Sequence, residues 1–291
     1  MVIPVWRGSI RYGSHGMLIA PAALVEGAAR LPLPYGLFSA VAMRPSGDRW
    51  ENGVLWEPGT TSELGAVPAP DCESPTDIDL GLTANVEDAG EASSFTVYGY
   101  YHGNPIATSP EVAQAKALDH LLNREEARVE KALWTGDLGN TPSLAGTAEL
   151  LEVDDPYTYV EGLALLEQTV AADYGSLGVI HMTRQMASVG LSLQALSARN
   201  GKLTTALGTP VVAGAGYDGS DPDGQDAPEG QSYVYVTPQL FGYRSEPFTS
   251  SGRPGDLLDR TDNTLYAIAE RTYLIGFDTA TGVFGTLMKM E

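Results

Sequence analysis

Several ingredients of common protein chemistries are scarce in this chain of 291 residues. Cys72 is the only cysteine, which excludes an intrachain disulfide and a cysteine-rich zinc site. Basic residues number 17 against 37 acidic ones, and the resulting net charge of -20 repels phosphate backbones, so sequence-specific nucleic-acid binding is not expected. No apolar run approaches the ~18 residues of a membrane span, so no membrane partner is expected.

Motifs of catalysis and metal binding are also missing. The four histidines, at positions 15, 102, 120 and 181, are scattered and do not form a metal-ligand spacing. The sequence contains no nucleophile elbow, Walker loop or kinase motif. We therefore expect no enzyme, and no catalytic, cofactor or metal site. An enzyme whose site is built from residues distant in sequence remains an alternative, and His181, at the end of a strand, is interpreted as structural.

One stretch imitates a cofactor motif. "TPVVAGAGYDG" places Gly214, Gly216 and Gly219 at the G-x-G-x-x-G spacing of a dinucleotide-binding turn. Such a turn requires a helix immediately afterwards, whereas "SDPDGQDAPEGQ" follows here. Its three aspartates, together with Asp218 just before it, would repel a pyrophosphate. The aspartates also lack the register of an EF-hand loop. We interpret the stretch as a strand that ends in a flexible, solvated loop tip.

The strongest helix signal covers residues 110–135. Ser109 is a good N-cap, Pro110 suits the first helical position, and Gly136 ends the helix. The helical spacing predicts an apolar stripe of Ala115, Leu118, Leu122, Val129 and Leu133. The opposite, polar face, which includes Glu125, Arg128 and Glu130, is expected to face solvent or another subunit.

The remaining elements alternate without a regular βαβ rhythm, which predicts a mixed α+β class. A second helix is expected from 155–156 to about 174, with Val160, Leu163, Leu166 and Val170 inward. "LGVIHM" reads as a buried strand, Thr183 caps a third helix, and Asn200-Gly201 predicts a tight hairpin turn. Strands are expected on both sides of the acidic loop 217–231 and at the C-terminus, joined there by a turn at "TATG".

Aromatic residues cluster in the first third of the chain. Residues 1–58 are aromatic but aperiodic, which indicates an extended arm packed on something else; an irregular N-terminal part of the same domain is the alternative. An acidic, loop-like stretch follows, and then the strand "SFTVYGYYHG", whose aromatic rings on both faces indicate that both faces are buried. The candidate subunit-interface residues are Trp6, Trp50, Trp56, Phe95, Tyr98, Tyr100, Glu125 and Arg128.

The order of these segments resembles that of the major capsid protein of tailed bacteriophages, with its Hong Kong 97-type fold. The stretches "FTVYGYY", "VEKALWTGDLGN", "GVIHMTRQMA", "LGTPVVAGAGYDG" and "AERTYLIGFD" look like those of actinobacterial phage capsid proteins. The resemblance covers nearly the whole chain. It implies an N-terminal arm (1–58), an extended loop (59–108), a peripheral domain (109–155) with spine helix 110–135, an axial domain (156–264), and C-terminal strands (265–291) that return to the core.

The resemblance also implies a function. The expected protein self-assembles into hexamers and pentamers of an icosahedral shell around double-stranded DNA, in a virion capsid formed in the bacterial cytoplasm. Its expected partners are itself, a separate scaffold protein, a portal and a cement protein, with packaged DNA held without sequence specificity. No lysine precedes Lys116, which excludes the loop-borne lysine crosslink of some family members. An encapsulin-like nanocompartment shell and another phage head or tail protein remain alternatives.

Overall fold

The structure is a computed structural model that describes residues 31–45, 50–56, 90–104, 106, 108–151, 155–250, 258–259, 261, 264–279 and 281–291. Trp6, Cys72, most of the expected arm and most of the acidic stretch before residue 90 lie outside these residues. The expectations for those parts therefore stay predictions.

Six α-helices and fifteen strands lie within the described residues. The helices are α1 (Leu37–Ala40), α2 (Pro110–Leu122), α3 (Glu125–Thr135), α4 (Leu144–Thr147), α5 (Tyr159–Tyr174) and α6 (Arg184–Ser192). The strands are β1 (Met43–Pro45), β2 (Val54–Trp56), β3 (Gly90–Ala92), β4 (Phe95–Gly103), β5 (Ala148–Leu150), β6 (Val179–Thr183), β7 (Leu196–Arg199), β8 (Lys202–Thr205), β9 (Pro210–Gly214), β10 (Gln231–Thr237), β11 (Leu240–Arg244), β12 (Phe248–Thr249), β13 (Leu258–Asp259), β14 (Thr264–Phe277) and β15 (Val283–Lys289). No helix in this part of the chain is long and apolar enough to cross a membrane.

The first sheet is built around the long strand β14, which pairs with β4, β11, β12 and β13, while β1 adds to β11. Strand β4 runs antiparallel to β14 from Phe95↔Tyr273 to Gly103↔Leu265. The alternation in "FTVYGYYHG" buries Phe95 and Val97 on the side that α2 covers. Gly99 lets α2 approach closely, since a Cβ there would lie 2.5 Å from the Leu121 amide nitrogen.

The second sheet has seven strands in the order β5-β15-β10-β6-β9-β8-β7. Helices α5 and α6 pack on it through a core that includes Leu166, Met182, Met186 and Val234. The two C-terminal strands divide between the sheets, β14 joining the first and β15 the second. Strands β11 and β12 join the first sheet, so the segment 156–264 expected as one axial domain contributes to both sheets.

Most helix and turn boundaries follow the sequence signals. Ser109 accepts a hydrogen bond from the Val112 amide, and Gly136 ends α3 in the left-handed region at φ 74°. Thr183 caps α6 as expected, and Asn200 and Gly201 form the turn between β7 and β8. Helix α5 begins later than expected, because Thr158 forms a capping box with Glu161, and Val160 is consequently 58% exposed instead of inward.

The expectation of one continuous helix over 110–135 is wrong. The helix breaks at residues 123–124, where Asn123 closes α2 and Arg124 adopts non-helical φ −134° and ψ −4°. The expected stripe is also partly wrong: Ala115 is exposed and Leu122 is 47% exposed. Small residues, Ala113 and Ala117, face the sheet instead, because the backbone of α2 lies directly against β4.

Candidate subunit-contact surface

The outer face of the β4–β14 ribbon carries exposed aromatic side chains. Tyr98 is 63% exposed, Tyr100 47% and Tyr266 41%. The antiparallel register sets His102 opposite Tyr266 and Tyr100 opposite Ile268, so the rings lie side by side. The Tyr100 ring centroid lies 6.2 Å from that of His102 and 6.4 Å from that of Tyr266. We call Tyr98, Tyr100, His102 and Tyr266 the aromatic face.

A groove of about 650 Å³ connects the aromatic face to the break between α2 and α3. His120 reaches across it, with Nδ1 3.1 Å from the carbonyl oxygen of Tyr100. Arg124 and Leu138 also line the groove, and Leu138 is 42% exposed. Exposed rings, an exposed leucine and polar side chains at the margin are the composition of a protein–protein contact.

The structure buries two of the expected interface residues inside the chain, which corrects the expectation that their rings are available to a partner. Trp50 is 3% exposed and stacks on Tyr243 with ring centroids 5.7 Å apart. Phe95 is 4% exposed and stacks on Tyr273. Trp56 is half-buried against Phe241, 4.8 Å between centroids. The first sheet itself supplies the apolar surface that covers these aromatics, whereas Tyr98 and Tyr100 stay uncovered.

Glu125 was expected on a solvated or subunit-facing side, and that expectation is wrong. It is 7% exposed, and both of its carboxylate oxygens lie 2.9 Å from Nη1 of Arg271. Tyr273 donates a third hydrogen bond to it at 2.6 Å, and burial together with this carboxylate raises the pKa of the Tyr273 phenol. These contacts fix α3 to β14. Arg128 forms a partly exposed ion pair with Asp137 at 2.8 Å, so it remains near the surface.

Two further carboxylates of α3 hold a distant segment of the chain. Glu130, 1% exposed, accepts hydrogen bonds from the amides of Leu37 at 3.0 Å and Gly216 at 2.9 Å. Glu126 accepts one from the amide of Phe38 at 2.9 Å. Burial raises the pKa of Glu130 to about 7, with Glu126 adding to the shift, and burial also raises the pKa of Glu126. The carboxylates thus accept hydrogen bonds from the amides at the start of α1, which have no partner within that helix. Their position on a charged helix face did not predict this role.

His181 is structural, as expected. It is fully buried, and its two ring nitrogens contact the hydroxyls of Tyr217 at 2.9 Å and Thr237 at 3.1 Å. Burial lowers its pKa to about 3, so the ring is neutral near pH 7. In the part of the chain that the structure describes, no group of three or more His, Cys, Asp or Glu side chains could hold a metal ion.

The glycine motif starts an ordered turn, so the expectation of a flexible tip directly after the strand is wrong. Tyr217 is buried, with its ring centroid 4.8 Å from that of Trp134. The Trp134 indole donates to the hydroxyl of Ser220 at 3.1 Å. Gly216 lies against the backbone of Ala127, where a Cβ would collide with the carbonyl oxygen. The glycine spacing therefore serves close packing against α3. Apart from Ala215 and Asp218, the exposed part of the loop begins at residue 223.

Sequence reasoning selected Tyr98 and Tyr100 but missed Tyr266, His102 and His120. Tyr266 could have been found from the sequence, because the alternating pattern of "TLYAIAERTY" predicts a strand with the Tyr266 ring on its exposed face. His102 and His120 could be added only once the pairing of β4 with β14 and the position of α2 are known. These residues form no reactive arrangement; their geometry suits a contact with another protein surface.

No protein-family model matches this sequence, and no curated protein matches it. Solved structures match over nearly the whole chain. A chain from the structure of Gordonia phage Cozz is 14% identical, with TM-score 0.53, covering 99% of this chain and 98% of that one. One from Microbacterium phage Oxtober96 is 10% identical, with TM-score 0.54, covering 92% and 96%. One from the capsid of an empty GTA particle is 12% identical, with TM-score 0.52, covering 93% and 95%.

These likenesses leave almost no part of either chain unmatched. They agree with the mixed α+β architecture and with the Hong Kong 97-type fold expected from the sequence. The chain therefore has the fold of phage capsid proteins, and its similar structures include those from phages of actinobacterial hosts.

Proposed function

We propose that this chain is the major capsid protein of a tailed bacteriophage and that it assembles into the hexamers and pentamers of an icosahedral shell. The observation that carries the proposal is the match of the whole chain to capsid structures of the same fold. The proposed role is structural rather than catalytic.

The aromatic face supplies a physical reason for assembly. Tyr98 and Tyr100 point away from the cores that the described residues form, so another copy packing on them would cover much apolar area. Tyrosine is enriched at protein interfaces because its ring buries much area while its hydroxyl keeps a polar partner. The groove beside these rings provides the concave surface that such a contact requires.

The net charge of -20 suits a container for DNA. A shell wall that bound phosphates tightly would hinder packaging and release of the genome, so weak, sequence-independent contact with double-stranded DNA is the expected relationship. The proposed location is the virion capsid, assembled in the bacterial cytoplasm. Proposed partners are further copies of the chain, a scaffold protein, a portal and a cement protein.

Assembly by the full chain tests the proposal. The purified protein would be passed through size exclusion and imaged by negative-stain microscopy, with and without Mg²⁺, which screens the repulsion between acidic copies. Closed shells, or rings of five and six copies, are expected. An encapsulin-like compartment would instead contain a protein cargo, and a tail protein would give tubes.

A matched pair of variants tests the aromatic face. Tyr98→Ala with Tyr100→Ala should raise the concentration needed for assembly at least ~30-fold, since buried aromatic residues at interface centres each contribute about 2 kcal/mol or more. Tyr98→Phe with Tyr100→Phe keeps the rings and should assemble nearly normally. Equal assembly by both double variants would show that these side chains lie outside the contact. Circular dichroism would confirm that both variants are folded.

A further inference from the structure

The β7–β8 hairpin combines features that are unfavourable in an isolated chain. It forms the end of the seven-stranded sheet, with β7 as the last strand. Arg199 and Lys202 pair directly across the hairpin, and both are exposed. Like charges directly opposite each other destabilise a strand pair. The turn residues Asn200 and Gly201, with φ 51° and 74°, hold the two cations at the tip.

No counter-charge within the described residues neutralises this tip. The ion pairs found there are Arg128–Asp137 and Arg271–Glu125, and neither involves the hairpin. The far end of the hairpin is apolar and exposed: Leu193 is 45% exposed and Leu207, in the turn after β8, is 76% exposed. A sheet edge that pairs with no further described strand, and that carries exposed leucines and two adjacent cations, has the character of an interface that lacks its partner.

Complementary charge lies on the acidic loop after β9. Asp223, Asp226 and Glu229 are exposed, and in the described part of the chain none of them has a basic partner. Strands β8 and β9 are antiparallel, with Leu203 opposite Val211 and Thr204 opposite Pro210, so the turn before β8 points toward the C-terminal end of β9. The basic tip and the acidic loop therefore lie at the same end of the sheet. Because β8 and β7 follow β9 toward the edge of the sheet, the basic tip lies nearer that edge than β9, the strand from which the acidic loop leaves.

We propose that the basic tip of the β7–β8 hairpin, Arg199 and Lys202, binds the acidic loop, Asp223 and Asp226, of a second copy of this chain. This inference rests on the proposed function and specifies one contact of the assembly. The two surfaces are different, so the contact is heterologous, and repeated around an axis it closes a ring of copies. Copies of net charge -20 repel one another, and this contact supplies attraction between opposite charges at the place where two copies meet.

Charge reversal in both directions tests the contact. Arg199→Glu with Lys202→Glu should lower the yield of rings or shells at least tenfold at low salt. Asp223→Lys with Asp226→Lys should do the same, although it removes two negative charges, adds two positive ones and so reduces general repulsion. Combining all four changes makes the tip acidic and the loop basic, so the two surfaces attract each other again. Assembly should therefore return to near the level of the original chain. Arg199→Lys with Lys202→Arg keeps the charges and serves as the control.

Assembly would be measured by light scattering and negative-stain microscopy at 50 and 500 mM NaCl, with folding checked by circular dichroism. Loss in each reversal and rescue in the combination support the contact. Enhanced assembly by the Asp223/Asp226 reversal alone, or no rescue in the combination, would overturn it. If every variant forms normal shells, this contact is refuted while the capsid function stands. If the original chain forms neither rings nor shells in any condition, both proposals fail.

Discussion

The buried carboxylate of Glu130 makes the stability of the chain depend on pH in a defined direction. Its pKa in the folded chain is about 7, compared with an ordinary value of 4.5, because burial disfavours the charge. Between these values the folded chain retains a proton that the unfolded chain releases. The free energy of unfolding therefore falls as pH rises from about 4.5 to about 7, and this contribution is constant above that range. The pKa difference corresponds to a loss of about 3 kcal/mol.

Glu130→Gln removes this titration while preserving the size of the side chain. Urea unfolding at pH 4.5, 5.5, 6.5 and 7.5 would give the free energy of unfolding of both proteins. Relative to the variant, the original chain should lose about 3 kcal/mol across this range. Glu149→Gln, at an exposed position of β5, is the control and should follow the original chain at every pH.

The amides of Leu37 and Gly216 report the same event locally. In Glu130→Gln one of them faces an amide NH₂ group instead of an acceptor, so hydrogen exchange at that segment should become faster at pH 7.5. A difference in unfolding free energy between the original chain and Glu130→Gln that is the same at all four pH values would refute the assignment of a raised pKa to this carboxyl group.

Two other buried groups give sharp expectations. Arg271→Met leaves the carboxylate of Glu125 buried without its cation and should lower the free energy of unfolding, measured in urea, by about 3–5 kcal/mol. Arg128→Met, at the more exposed pair, should lower it by at most about 1 kcal/mol. Equal losses in the two variants would contradict this account. Burial lowers the pKa of His181 to about 3, so its contribution to stability is present above pH 6.5 and is lost as pH falls toward 3. His181→Gln should therefore reduce the loss of unfolding free energy between pH 6.5 and pH 3 by about 4 kcal/mol. If the variant loses as much as the original chain over this range, His181 is not the group responsible.

Local signals predicted the elements well where the physics is local. Ser109 and Thr183 cap helices because their side chains accept nearby amides, and Asn200-Gly201 turns because both residues tolerate positive φ. The alternation in β4 similarly assigned its side chains to two faces, although only the face of Phe95 and Val97 is buried within the described chain, whereas burial of both was expected. In each case the residues that determine the conformation lie within a few positions of one another, so the sequence contains the necessary information.

The failures concern interactions between residues far apart in the chain. The break at Asn123 and Arg124 involves no proline or glycine. On its two sides the packing differs, since α2 lies on β4 and β14, whereas α3 contacts β4, α4 and α1. Glu125 and Glu130 looked solvated, since their burial depends on Arg271, on Leu37 and on Gly216. A charged helix face indicates solvent only when no distant segment supplies hydrogen bonds to it.

The candidate contact surface was predicted in part for the same reason. Tyr98 and Tyr100 could be assigned to one face of a strand from their alternation alone. Trp50 and Phe95 looked equally available, but they are covered by Tyr243 and Tyr273 of the first sheet. The sequence alone could not show which aromatic residues the chain covers by itself and which remain for a partner.

The most direct test of the central claim is the symmetry of what the full chain assembles into. Electron microscopy of the purified protein, alone and coexpressed with its genomic neighbours, would show the particles and their axes. Closed icosahedral shells with five-fold vertices are the predicted result. Open tubes of stacked rings, or a protein that stays monomeric in both preparations, would contradict the capsid function while leaving the fold unchanged.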